Sequence, residues 1–167
     1  MIKFHALILV GLSLVTSSLL ADGEGDNNPE KVRQIPRVGI QVSQANQAKL
    51  NAGLDELAEL IKKLNLSKSN LALLLLPDVE IYHRAVKDNL EYQEFFSEKD
   101  IVKAFTALNS GKKRAQQLLA GTAPWLEQTG LVVRGFRSEL DGTAQPYGLV
   151  IPRNYQPEGE KSIRLDI

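Results

Sequence analysis

The chain has 167 residues, with 20 basic against 20 acidic side chains, two histidines and no cysteine. That balance is not the basic footprint of a nucleic-acid binder. The absence of cysteine rules out a disulfide framework, thiol chemistry and Cys-ligated metals.

Residues 1–21 have the three parts of a cleavable signal peptide. Lys3 and the amino terminus supply positive charge, Ala6–Val15 an apolar run, and Thr16, Ser17 and Ser18 small residues ahead of Leu19-Leu20-Ala21. The competing reading is a membrane anchor. A spanning helix needs roughly 20 apolar residues, and Thr16-Ser17-Ser18 interrupts the run before that. Leu71–Leu76 is a later apolar run but a short one, so no stable span is expected after cleavage. Cleavage is expected after Ala21 or nearer Ser18, and the protein is expected to be secreted or periplasmic. The 146 residues that then remain suffice for one domain burying roughly 70% of its unfolded surface.

Residues 22–42 read as a flexible leader, since Asp22–Pro36 is rich in Gly, Asp, Asn and Pro and has no apolar period. A helical region is expected over 43–121. Ser43 is a good N-cap, and Leu50, Leu54, Leu57, Ile61 and Leu64 form one apolar stripe at spacings of three and four. Gly53 weakens that helix by up to ~1 kcal/mol relative to Ala. The helix breaks over Asn65–Asn70. Pro77 ends the Leu71–Leu76 run, and Asp78 is expected to cap a second helix. Its stripe is Val79, Tyr82, Val86 and Leu90, and it is expected to end near Phe95-Phe96. Ser97 with Asp100 resembles an acidic capping box. It opens a third helix through Ile101, Phe105, Leu108, Ala115 and Leu119, which Gly121 ends. About three amphipathic helices with short connections make a packed layer.

From residue 122 the pattern becomes β. Leu131–Leu140 and Thr143–Ile151 flank Asp141-Gly142, a two-residue hairpin signal. Pro146 makes its arm an edge strand or bulged. Ile163, Leu165 and Ile167 alternate with Arg164 and Asp166, as in a third strand. The expected fold class is therefore α+β, with helices over 43–121 and a hairpin plus strand over 122–167. The chain stops inside that third strand, whose exposed edge invites self-association.

Chemistry is sparse. A Ser-His-Asp site needs a histidine. His5 leaves with the signal peptide, only His83 remains, and no Gly-x-Ser-x-Gly elbow occurs. Glu80 and His83 have the Glu-x-x-His spacing of di-iron bundles, but those need a second copy and two more carboxylates. A polar helix face is the plainer reading. Gly111-Lys112-Lys113-Arg114 lacks the first glycine and final Ser/Thr of a phosphate loop, and reads as a solvated basic patch. Trp125, the only tryptophan, reads as a packing anchor between the helical and β parts. Turn chemistry accounts for Asp141 beside Glu139. No catalytic, cofactor-binding or metal-binding residue is assigned, and no cofactor is expected.

Three strings carry a family resemblance: Leu76-Pro77-Asp78-Val79-Glu80-Ile81-Tyr82-His83, Ala123-Pro124-Trp125, and Gly130–Ser138. With the hairpin string Ser138–Pro152, they resemble the N-terminal region of secreted bacterial prolyl oligopeptidase-like serine hydrolases of the α/β-hydrolase superfamily. The resemblance covers about residues 36–167. It implies that the hairpin and Ser162–Ile167 correspond to opening strands of the hydrolase sheet. The His-Gly oxyanion loop, nucleophilic serine, acid and catalytic histidine would lie beyond Ile167. The implied role is the N-terminal segment of an exported peptidase or esterase, not catalytic by itself, whose partner is the downstream hydrolase domain. The rival reading is a self-contained exported binding module without enzymatic activity. An independent enzyme with an unrecognised site is a third.

Overall fold

The computed structural model describes residues 37–155. The expected signal peptide and the expected strand Ile163–Ile167 lie outside the described residues. Within them the fold is α+β, with four α-helices followed by a two-stranded antiparallel sheet.

Ser43 caps α1 (Gln44–Asn65), its Oγ accepting from the Asn46 N–H at 3.3 Å. Lys62 and Lys63 occupy its last turn, where they complement the helix dipole. The segment just before α1 belongs to the end of the expected flexible leader, yet it is tied to the domain. Gly39 N–H donates to Gln93 O at 2.7 Å, and Ile40 N–H donates to Phe95 O at 2.6 Å. Gly39 is needed there, because a Cβ would collide with both of those carbonyls.

The Leu71–Leu76 run forms the five-residue α2 (Asn70–Leu74), with Ser69 Oγ accepting from Ala72 N–H. The helices therefore number four rather than about three. Asp78 does not cap the next helix. Leu76, itself in helical conformation, stands at the cap position, and Pro77 opens α3 (Pro77–Glu91). Helix α3 stops before the expected Phe95-Phe96. Gln93 takes a left-handed conformation (φ 55°), and Glu94 N–H closes back on Asn89 O at 2.9 Å, a Schellman ending.

Ser97 precedes α4 (Glu98–Leu119), but the expected capping box is not made. Ser97 Oγ instead donates to the Asp100 carboxylate at 2.8 Å. Gly121 ends α4 as expected, at φ 76°, with Thr122 N–H bonded to Gln117 O.

The core lies among α1, α3 and α4. Leu50, Leu57 and Leu64 from α1 meet Val79 and Val86 from α3 and Ile101 and Leu108 from α4 in one apolar cluster. The buried stripe of α4 is Ile101, Ala104, Leu108, Gly111, Ala115 and Leu118. Leu118, not Leu119, is the inward residue, since the alternating steps of three and four continue through Gly111. Two glycines let α1 and α4 approach closely. A Cβ on Gly53 would come within 2.8 Å of Leu108 Cδ1, and one on Gly111 within 2.8 Å of Leu57 Cδ2. The intrinsic helix cost of Gly53 is thus the counterpart of a seat for Leu108.

After a 3₁₀ turn at Pro124–Leu126, β1 (Gly130–Arg137) pairs with β2 (Ala144–Ile151) without a bulge, Arg137 opposite Ala144 and Gly130 opposite Ile151. The two-residue Asp141-Gly142 turn does not form. Both arms end sooner, and a six-residue loop, Ser138–Thr143, joins them. Gly142 has φ 69° and donates to Ser138 O, while Asp141 Oδ1 accepts from Thr143 N–H at 3.1 Å. The Asx contact of Asp141 thus competes successfully with the tight turn. Ser138 N–H donates to Thr143 O, which sets the phase of the ladder. Hydrogen-bonded pairs fall on even residues of β1, so Pro146, opposite Gly135, points its absent N–H away from β1. It costs no ladder bond, and β2 has an unpaired outer edge among the described residues.

Candidate functional site

The hairpin meets the helical layer along α3. Ile81, which lies off the apolar stripe read from the sequence, is buried there; Ile81, Val132 and Ala144 stand outside the main helical cluster. Helix α3 therefore has two covered faces, and the second is largely polar.

Its centre is Asp78, the one buried charged residue among those described, at 0% exposure. One carboxylate oxygen, Oδ1, accepts from Gly135 N–H. The other, Oδ2, accepts from Trp125 Nε1 and Arg134 Nε, both at 2.8 Å. Burying a carboxylate is tolerable only when it is paired and hydrogen-bonded, and three donors meet that condition. Gly135 sits so close to the first turn of α3 that a Cβ would strike the Pro77 carbonyl. The Gly135 N–H that Asp78 captures points away from β2, so the anchor uses a group the hairpin ladder leaves free.

Arg114 closes the node from α4. Its guanidinium lies 5.2 Å from the Tyr82 ring centre and 4.9 Å from that of Trp125, and donates to Asp78 O at 3.2 Å. Burial lowers the Arg114 pKa, with Tyr82 and Asp78 pulling the other way. The basic run on α4 is thus not one solvated patch. Gly111 is a buried notch, Lys112 reaches Glu56 on α1 at 2.8 Å, and Arg114 is stacked on aromatic rings. Trp125 joins the helical and β parts, as read from the sequence.

Further along α3, Arg84 donates through Nη1 to Ala144 O at 2.9 Å and through Nε to Asp88 at 3.2 Å. Glu80 pairs with Arg137 of β1. Beside these contacts a groove of about 510 Å³ runs between the C-terminal turns of α1, the middle of α3 and the hairpin loop. Ala58, Ile61 and Ala144 form apolar parts of its wall, and Lys62, His83, Arg84, Arg137 and Glu80 its polar parts. Burial raises the Glu80 pKa against the opposing pull of Arg137. Burial also lowers the His83 pKa, with Lys87 adding to the effect and Asp55 and Asp88 opposing it.

The structure brings Glu80 and His83 into one groove, but His83 makes no hydrogen bond to a serine, and no group of three potential metal ligands forms among the described residues. Glu139 and Asp141 lie in the exposed hairpin loop and do not line the groove, although the Asp141 charge acts on Arg84. No described helix is long and apolar enough to cross a membrane. Sequence reasoning missed Asp78 as a buried node with Arg114 and Arg134 around it, and Arg84 and Arg137 as further ties between α3 and the hairpin. The available signal was Ile81, an apolar residue off the stripe, which marks a second covered face beginning near Asp78.

Comparison with known protein families, with curated proteins and with solved structures finds no match.

Proposed function

We propose that this chain serves as the N-terminal, non-catalytic segment of an exported serine hydrolase of the prolyl oligopeptidase-like type, a peptidase or esterase. In this role the helices form a rigid layer that presents the hairpin to the sheet of the hydrolase domain. The observation that carries the reading is the convergence on Asp78. Of the three strings that carry the resemblance, Leu76–His83 supplies one buried carboxylate, and Ala123–Trp125 and Gly130–Ser138 supply its three donors. Residues far apart in sequence thus serve one task, which is fixing the hairpin's orientation. The hairpin itself turns apolar side chains outward: the cross-strand pair Leu131 and Val150 is 75% and 79% exposed. Such an exposed pair suits a β element that a further domain covers.

The test uses a serine-directed fluorophosphonate probe on two samples. The purified 167-residue chain is expected to stay unlabelled and to leave aryl esters and proline-containing peptides intact. In the exported fraction of the source cells, a labelled species is expected to yield peptides from residues 37–155 and to begin between about Leu19 and Gly23. Stoichiometric labelling of the isolated chain, abolished by one Ser→Ala substitution, would overturn the reading. So would exported material that carries these peptides but no probe-reactive serine, which leaves the binding module in front.

A further inference from the structure

We propose that the groove between α1, α3 and the hairpin loop binds a small carboxylate with an apolar body. The proposal rests on the groove alone and stands whether or not the hydrolase reading does. Size comes first: about 510 Å³ lies within the range of small-ligand sites. The wall then divides by chemistry. Ala58, Ile61 and Ala144 offer apolar surface, while Lys62, Arg84 and Arg137 bring three cations against one carboxylate, Glu80.

Glu80 is engaged with Arg137 and Asp88 with Arg84, and Asp141 adds negative charge near Arg84. Arg84 spends Nε on Asp88 and Nη1 on Ala144 O, and its Nη2 makes no hydrogen bond among the described residues. Lys62 forms no ion pair there either. The donors left without a protein acceptor, Arg84 Nη2 and Lys62 Nζ, therefore belong to the same groove as the apolar residues Ile61 and Ala144. A neutral apolar ligand or a cation would offer these donors no acceptor. A carboxylate on a short aliphatic or acyl-amino body satisfies both sides, with charge-assisted hydrogen bonds to Arg84 Nη2 and Lys62 Nζ.

His83 supplies an internal reporter. It lines the groove, and the charged groups around it are Lys87 and Asp88 on α3, Asp55 and Lys62 on α1, and Glu80, Arg84 and Arg137 at the junction. A bound anion raises the His83 pKa by electrostatic linkage, and a ligand bound elsewhere leaves it unmoved.

The experiment is a titration of the chain with hexanoate and with N-acetyl-leucine, each beside its neutral amide, followed by backbone amide shifts and the His83 imidazole signals. The first probe represents a free aliphatic acid and the second the carboxyl end of a peptide. Saturable binding of either acid is expected, roughly fivefold or more tighter than its amide. Shifts should localise to α1 near Lys62, to α3 near His83 and to the Thr143 loop, with the His83 pKa raised. The exposed Lys62→Gln substitution should weaken binding several-fold while circular dichroism stays unchanged. Binding of both acids supports the shared chemistry, and binding of one identifies the source. The proposal fails if neither acid saturates, if the amides bind equally well, or if the shifts leave His83 and Lys62 untouched.

Discussion

The helical layer and the hairpin are held in place by different forces. Among α1, α3 and α4 the adhesive is apolar burial in one continuous cluster, tightened by the glycine seats at Gly53 and Gly111. At the hairpin only Val132 and Ala144 are buried apolar side chains, and the attachment runs through Asp78, Glu80 and Arg84. Apolar burial is non-directional and spreads over many side chains. A hydrogen-bonded carboxylate is directional and concentrates the attachment in a few atoms. One face of α3 thus fixes the bundle while the other fixes an angle.

The largest expected effect comes from Asp78→Ala. It leaves the Trp125 and Gly135 N–H groups and the Arg134 guanidinium without their acceptor. Loss of one partner from a buried ion pair costs about 3–5 kcal/mol. Denaturant unfolding should show a loss of that order. Hydrogen exchange should place the greatest loss of protection in β1 and β2 rather than in α1 and α4. An equal loss in both regions would erase the distinction between the two attachments.

A matched glycine pair sharpens the same contrast. Gly111→Ala brings a methyl group against the Leu57 side chain and Tyr82 Cβ. Overpacking costs roughly 1–3 kcal/mol, offset by up to ~1 kcal/mol of helix propensity. Gly135→Ala drives its methyl into the backbone of Pro77, where no rotamer change gives relief. Thermal unfolding should therefore rank Gly135→Ala as the more damaging, although Gly111 lies in the larger core. The reverse ranking would mean that the junction yields more readily than the bundle.

The smallest effect is a pH dependence located at the junction. His83 has its pKa lowered from the usual 6.5, chiefly by burial, so the fold favours the neutral imidazole. The unfolded chain then takes up its proton first as pH falls. The stability contribution of neutral His83 is complete above pH 6.5 and is lost as pH drops below that value toward the folded pKa. His83→Gln should flatten the stability profile in that window while the slope at lower pH persists. An unchanged slope would place the proton uptake elsewhere.

Much of the bundle was legible because periodicity and caps are local signals. Ser43, the Leu50–Leu64 stripe and Gly121 act as their residue types dictate. The α4 stripe was read one residue out at its end because Gly111, an inward position, carries no side chain to mark the period. Asp78 was read as a cap because an aspartate after proline at a helix start has that chemistry locally. Its carboxylate instead finds donors 47 to 57 positions away, and no local rule weighs such partners. The hairpin's existence was legible from its alternating arms, but its loop length was not. Asp141 and Gly142 suit a tight turn and also the wider Asx-closed loop that forms. The groove assembles from α1, α3 and the hairpin, so its cations lie together only after folding.

The phase of the β ladder has a consequence for what can join β2. The groups on its outer rim belong to Ala144, Pro146, Gly148 and Val150. Arg84 already occupies the Ala144 carbonyl, and Pro146 has no proton to give. Among the described residues, complete donor-and-acceptor sites remain only at Gly148 and Val150. The rim behaves like a zipper with its first teeth blocked. An arriving strand can engage the end farther from the hairpin loop but cannot run the full length of β2 with every bond made. Edge-to-edge stacking of identical hairpins is correspondingly penalised, while a short strand that approaches Gly148–Ile151 alone meets no such obstacle.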